Sequence, residues 1–205
     1  MTWQFDKQVA VIYHDHVRQH IPNYDTVVSQ SIDCCVDFCN SDDPIVDFGC
    51  ATGYTLQQLA SAGFTNLLGV DSSQDMIDVC DTDIAKYSTN LPPQKFKAIM
   101  ANWVLHFNEN KTDIINQMGA SIDNGFVFIS DKMITTDYVS KKYYQWKHSQ
   151  GVSWEDIKLK EHSLQGVMFI HPIEWYIETL KQAGFVQIEV VDAKWGFVSL
   201  LAFKK

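Results

Sequence analysis

The chain has 205 residues, 46% of them apolar and 20% charged, enough for a single folded unit with a sizeable core. Its net charge is −9, most of it in residues 1–100, where 5 Lys/Arg face 13 Asp/Glu; residues 101–205 carry 11 against 12. With Arg18 as the one arginine, the sequence lacks the basic face and guanidinium forks that grip a nucleic-acid backbone, so direct nucleic-acid binding is not expected.

No apolar run approaches the ~20 residues of a membrane span. Met1-Thr2-Trp3-Gln4-Phe5 has neither the basic start nor the apolar segment of a secretory signal. Cysteines 34, 35, 39, 50 and 80 are odd in number, which fits reduced thiols and a cytoplasmic location. Cys34, Cys35 and Cys39 lie close together without a second Cys/His pair, so they are expected to be core residues and no metal is expected. No feature fixes the oligomeric state; a homodimer is compatible with it.

In chain order, apolar positions at helical spacing predict helices over 5–20 and from about 23 to 39, broken at Pro22. A turn cluster, Asn40-Ser41-Asp42-Asp43-Pro44, leads to a strand at 45–48, a glycine turn and a helix over 54–62 closed by Gly63. The strand 67–70 follows, then a helix capped by Ser72 or Ser73 and running through Cys80. Residues 81–95 read as a polar loop, 96–101 as a buried strand, 108–122 as a helix and 126–130 as a strand. Two helices are predicted near 137–149 and 153–163, a third from Pro172 to Ala183, and a closing antiparallel hairpin over 186–191 and 197–203. This alternation defines an α/β domain with a mostly parallel sheet. Residues 1–40 form its helical cap, and 131–165 a helical lid inserted after the fifth strand.

The stretch Ile45-Val46-Asp47-Phe48-Gly49-Cys50-Ala51-Thr52-Gly53, echoed by Leu67-Leu68-Gly69-Val70-Asp71, is a pair of strand-to-turn units of the kind that binds a nucleoside. Gly49 and Gly53 are expected to give a ligand clearance, with backbone N–H groups facing it. Asp47 suits an ammonium, and Asp71, at the end of the second strand, suits a vicinal diol. A dinucleotide site would read G-x-G-x-x-G; here Ala51 stands at the second glycine, which suits S-adenosylmethionine (SAM), a cofactor without a pyrophosphate.

These segments, with Ala101-Asn102-Trp103-Val104-Leu105-His106-Phe107, resemble the class I SAM-dependent methyltransferases, and the resemblance covers nearly the whole chain. More closely, the sequence is similar to the carboxy-SAM synthase group, whose product serves wobble-uridine modification of tRNA. Ile21-Pro22-Asn23-Tyr24 matches that group's I-P-G-Y motif. Further matches are residues 124–132, Lys181-Gln182-Ala183-Gly184-Phe185 and the closing segment 196–204. The resemblance implies a Rossmann-like fold and cofactor contacts at Tyr24, Gly49, Cys50, Ala51, Asp71, Ser72, Asp83, Ile84 and Asn102. Asp83 and Ile84 would meet the adenine. The segment between Asp71 and Asn102 is about ten residues shorter than the family pattern, so its third strand is expected to be reduced or absent. Where the synthase group places an arginine for the extra carboxyl of its product, this chain has Thr179. A carboxylate desolvated without a cation is costly, which favours ordinary SAM and methyl transfer to a small molecule. The alternatives are a synthase-like enzyme and a SAM-binding protein without transferase activity.

For the chemistry, His106 is the first candidate base, and Trp103 is expected to be wall or core. The lid carries Tyr138, Tyr143, Tyr144, Trp146, His148 and Trp154, with His171 beyond it. Tyr143 and Trp146 are taken as acceptor-side residues. The aromatics favour a flat or apolar acceptor over an anionic one; Lys132, Lys141, Lys142 and Lys147 leave an acid open as the alternative, with solvated surface lysines as the blander reading.

Overall fold

A computed structural model describes residues 6–205. Helices α1 (Lys7–His20) and α2 (Tyr24–Phe38) precede β1 (Ile45–Phe48), α3 (Tyr54–Ser61), β2 (Leu67–Val70), α4 (Gln74–Ile77), β3 (Lys86–Ser88) and β4 (Ala98–Asn102). A 3-10 turn, Leu105–Phe107, leads to α5 (Lys111–Ser121), β5 (Gly125–Lys132), α6 (Asp137–Ser149), α7 (Trp154–Ser163), α8 (Ile173–Gln182), β6 (Gln187–Lys194) and β7 (Phe197–Lys204). The expected start of the first helix, Phe5, lies outside the described residues.

The strands form one sheet in the order β3-β2-β1-β4-β5-β7-β6. All neighbours are parallel except β5–β7 and β6–β7. Chain order reverses between β1 and β4, so the crevice beyond their C-terminal ends is the switch point where such sheets bind ligands. Both faces are covered. Phe126 and Phe128 of β5 belong to a core shared with Val27, Val28, Leu56 and Tyr143, whereas Val127 and Ile129 join Ile115, Met118, Tyr176 and Leu180. The two-residue period of β5 thus sends alternate side chains to opposite layers.

Several boundaries differ from the sequence expectation for identifiable reasons. The expected helix through Cys80 is a single turn. Ser73 caps it by accepting from the Met76 N–H, and the Cys80 thiol is drawn toward the Met76 and Ala51 carbonyls. The third strand exists but has three residues, within what read as loop. It pairs with β2 alone, and the Tyr87 ring lies where a Cβ on Gly69 would be, 2.6 Å from its nearest atom. The helix expected from Asn108 starts at Lys111, after the 3-10 turn. The strand expected over 126–130 extends to Lys132, because β7 pairs with it along its whole length. That extension fixes Asp131 and Lys132, on opposite faces.

Ile21-Pro22-Asn23-Tyr24 forms the hinge between α1 and α2. Asn23 adopts φ 59°, a left-handed conformation that asparagine tolerates better than most residues and glycine adopts freely. Its amide bridges to the distant hairpin, donating to Asp192 at 3.1 Å and accepting from Lys194 at 3.2 Å.

Candidate functional site

Two cavities meet at the C-terminal edge of the sheet. The first is a narrow crevice lined by Tyr13, Tyr24, Asp47, Gly49, Cys50, Ala51, Thr52, Tyr54, Thr55, Asn102 and Trp103. The second is a larger, mostly apolar cavity of about 270 Å³ between the sheet, α1, α6 and α7. Tyr13 and Trp103 line both. Trp103 is the partition. It holds the left-handed φ of 56°, a strained conformation for a bulky residue, and stacks on Tyr24 at 4.8 Å.

The loop after β1 owes its shape to its own hydrogen bonds. Gly49 and Cys50 donate to the Val70 carbonyl at 2.6 and 3.1 Å, Ala51 to Asp71 Oδ2 at 2.9 Å, and Gly53 to the Cys50 carbonyl at 2.8 Å. These four amides are therefore spent within the protein, a correction to the expectation that loop amides face the ligand. Gly49 needs revision too. Its φ is +81°, and a Cβ there would lie 2.5 Å from the Val104 side chain, so it serves backbone geometry and packing on Val104. Gly53 and Ala51 also have positive φ.

Polar recognition in the crevice falls to side chains. Asp47 is 2% exposed; burial first, then the nearby Asp71 charge, pushes its carboxyl up to about 7, opposed by the Thr55 hydroxyl. Both amide atoms of the buried Asn102 and Nε1 of Trp103 lack a hydrogen-bond partner among the described residues. A natural fold seldom leaves such atoms unsatisfied, and here they line a ligand crevice. A cationic amine beside Asp47 and a polar ligand edge beside Asn102 would satisfy the set, as the amino-acid end of SAM does. Asp71 uses one lone pair on each oxygen, for Ala51 and Ser73 (2.8 Å), leaving capacity for a diol. Desolvation raises its pKa. Arg18 closes the rim, paired with Asp25 at 2.8 Å over the Tyr24 and Tyr54 rings.

Other expected contacts sit elsewhere. Ser72 and Asp83 are exposed and line neither cavity; the Asp83 N–H donates to Asp81 at 2.9 Å. Ile84 packs half-buried against the core. Trp146 stacks on Tyr143 at 6.2 Å and packs against the core, outside the larger cavity's lining. His148 stacks on Trp154, and His171 on Trp175. Of the aromatics noted in the lid, Tyr143 and Tyr144 face the larger cavity. The Tyr143 hydroxyl donates to the His20 carbonyl at 2.7 Å, tying α6 to α1.

His106 lines the larger cavity and is 4% exposed. Its Nδ1 is hydrogen-bonded to Asp131, which is fully buried and also accepts from the Tyr176 hydroxyl at 2.5 Å. A carboxylate accepts, so Nδ1 donates to it, and in the neutral imidazole the lone pair then falls on Nε2, the arrangement a general base needs. Asp131 and Tyr176 were not among the expected site residues. The available signal was the acid at the end of the fifth strand, one period from the core residue Ile129. Thr179 is buried on α8, donates to the Trp175 carbonyl at 2.8 Å and lines neither cavity. It is no anion site.

A Rossmann-like sheet with a strained aromatic partition, an acid-lined crevice and a histidine facing a second cavity defines the class of a nucleoside-cofactor transferase. Residues 14–190 match the methyltransferase domain family, and the chain belongs to it. Carboxy-S-adenosyl-L-methionine synthases of Nautilia profundicola and Helicobacter hepaticus are 29% and 30% identical to it. Both alignments cover 98% of this chain, with 94% and 95% of those proteins. The plantazolicin methyltransferase BpumL, crystallised with S-adenosylhomocysteine, superposes with a TM-score of 0.70 at 12% identity, over 97% of this chain and 90% of that one. The protein is thus a SAM-dependent enzyme with a Rossmann-like fold, and among the described residues no helix is long and apolar enough to cross a membrane.

Proposed function

We propose that this enzyme transfers the methyl group of SAM to a small-molecule acceptor held in the larger cavity, with His106 as general base. The observation that carries the reading is the hydrogen-bonded series Tyr176–Asp131–His106, ending on a cavity that shares Tyr13 and Trp103 with the cofactor crevice.

In this reading Asp47 and Asn102 hold the amino-acid end of SAM, Tyr24 covers it, and Asp71 takes the ribose hydroxyls. Gly49, Cys50, Ala51 and Gly53 shape the loop. SAM supplies an electrophilic methyl group on a sulfonium. Trp103 holds cofactor and acceptor on its two sides and offers an aromatic face to positive charge. His106 Nε2 takes the acceptor's proton, and Asp131 fixes the tautomer and stabilises the resulting imidazolium. The lid residues exclude water from the displacement.

Mass spectrometry of the purified protein tests the cofactor by seeking carried SAM or S-adenosylhomocysteine. Incubation with labelled SAM and a metabolite extract then tests transfer, and label in no metabolite would overturn the reading. The second reading, carboxy-SAM synthesis, is favoured by the names of the relatives and opposed by Thr179, which has no charge and faces the core. Preference for carboxylated SAM over SAM would support it. The free thiols of all five cysteines fit a reducing, cytoplasmic setting.

A further inference from the structure

Two of the five thiols meet behind the cofactor crevice, and neither the SAM site nor the His106 base calls on their sulfur chemistry. The Cys80 thiol, just after α4, donates to the Ala51 carbonyl at 3.3 Å, and the Cys50 thiol faces the same oxygen at 3.9 Å. The two thiols also hydrogen-bond each other. Two glycines make room for them. A Cβ on Gly69 would lie 2.9 Å from Cys50 Sγ, and one on Gly53 would lie 3.4 Å from Cys80 Sγ and 3.3 Å from the Tyr87 hydroxyl. Tyr87, reaching over from β3, closes the pair in. Cys50 is buried and lines the crevice, whereas Cys80 is only half-buried.

We propose that Cys50 and Cys80 are a peroxide-reactive dithiol, and that their closure into a disulfide weakens binding of the cofactor. The proposal uses the SAM site alone and is indifferent to the acceptor. The two thiols are unequal. A hydrogen bond from Cys50, then one from the Tyr87 hydroxyl, hold the Cys80 thiol below its ordinary value against desolvation. The hydrogen bond to Cys80, burial and the charges of Asp47 and Asp71 push the Cys50 thiol up. A thiolate is the nucleophile, so Cys80 attacks and Cys50 resolves. In the first step Cys80 Sγ bonds to one peroxide oxygen, the O–O bond breaks, and the departing hydroxide leaves as water with the proton that Cys80 gave up. In the second, Cys50 Sγ attacks the sulfur of the Cys80 sulfenic acid, the S–O bond breaks, and hydroxide leaves as water with the Cys50 proton. Two thiols have then lost two electrons, and one peroxide has become two waters.

Closure reaches the cofactor through Ala51. Its carbonyl loses both thiol donors, and the sulfurs must approach to about 2.05 Å, which draws the loop toward α4. Ala51 already holds a φ of 45°, and its N–H donates to Asp71, the acid placed for the ribose. Moving Ala51 withdraws that acid from the crevice. Cys35 and Cys39, at the end of α2, provide the contrast. Their thiols bond each other as well, but they line neither cavity, and oxidation there has no path to Asp71.

The test compares the full chain reduced with dithiothreitol and after equimolar hydrogen peroxide. Peptide mapping should find a Cys50–Cys80 disulfide. Calorimetry should show S-adenosylhomocysteine binding weakened about tenfold or more, the loss expected of a charged hydrogen bond, and dithiothreitol should restore it. By reciprocity, saturating S-adenosylhomocysteine should make the pair harder to oxidise by the same factor. In a glutathione redox buffer its midpoint should rise by about 30 mV per tenfold. Cys80→Ser should keep its affinity through peroxide treatment, and Cys39→Ser should lose affinity as the unaltered protein does. Circular dichroism and the affinity of the reduced variants would show that they are folded; the mapping and the midpoint need no variant. Both thiols free after peroxide, a disulfide at Cys35–Cys39 alone, a Cys50–Cys80 disulfide that leaves affinity unchanged, or a loss that survives in Cys80→Ser would overturn the proposal. If the reduced protein binds no S-adenosylhomocysteine, the placement of the cofactor fails, and the proposal falls with it.

Discussion

The two cavities divided by Trp103 are built from opposite materials. The cofactor crevice is acidic and made by short loops at strand ends, with Asp47 and Asp71 beside amides that bond within the protein. The larger cavity is apolar with lysines and histidines in its wall, assembled from helices α1, α6 and α7 over one edge of the sheet. The difference teaches how one sheet edge can offer two environments side by side: each compartment presents its own charge and polarity, and the partition between them is uncharged. Within β5 the same division occurs between neighbouring residues. Asp131 turns toward α8 and bonds to His106, and Lys132 turns into the larger cavity.

The sharpest way to separate the compartments is His106→Gln. It should lower turnover by about 10²–10⁴-fold, the range of a lost general base, with S-adenosylhomocysteine affinity unchanged by calorimetry. Equal turnover would remove His106 from the mechanism. Asp131→Asn should cost about 10²-fold in turnover and alter the pH–rate profile, because Nδ1 would no longer be held as the donor. A merely structural role would lower stability and leave the profile in place.

On the cofactor side, Gly49→Ala should destabilise the fold by about 3 kcal/mol, since it combines a strained φ with a collision against Val104. Adding Val104→Ala should recover the collision part but not the strain, a non-additivity readable in denaturant unfolding. If the second change recovers nothing, the close packing of Gly49 is not what requires a glycine.

Proton linkage should mark the cofactor crevice. Asp47 titrates at about 7 in the folded, cofactor-free protein against the ordinary 3.8. Between those values the folded chain alone keeps the proton, so stability should fall as pH rises through that window and level off on either side. Asp47→Asn should flatten the decline in Tm. An ammonium placed beside Asp47 favours the carboxylate, so SAM binding at pH 6 should release up to about one proton. Proton uptake on SAM binding would contradict this placement of Asp47. The smallest effect is that of Tyr176→Phe, about 1 kcal/mol in stability with a modest loss of rate, because one of the Asp131 hydrogen bonds remains.

Much of the fold was legible because its signals are local. The buried strand Ile45–Phe48, the glycine turn and Asp71 follow from short-range periodicity and turn chemistry, and Trp103 was read as wall or core before it emerged as the partition. Boundaries failed where long-range contacts decided them. Pairing with β7 carried β5 on to Lys132, and the side-chain space over Gly69 admitted Tyr87 and a three-residue strand. The expected contacts at Asp83 and Ile84 rested on a resemblance carried across a shortened segment, and they lie outside both cavities, as does Ser72 beside Asp71.

By itself, the sequence determined the sheet-and-helix alternation and the cofactor class and singled out His106 as a candidate, since each rests on residues close together in the chain. Tertiary structure alone decided which acid bonds to that histidine, that Gly49 packs on Val104, and that the half-buried Lys132 and the buried Lys147 meet over one tyrosine ring. The physical reason is that desolvation and charge pairing depend on groups brought together from distant positions, and periodicity along the chain carries no record of them.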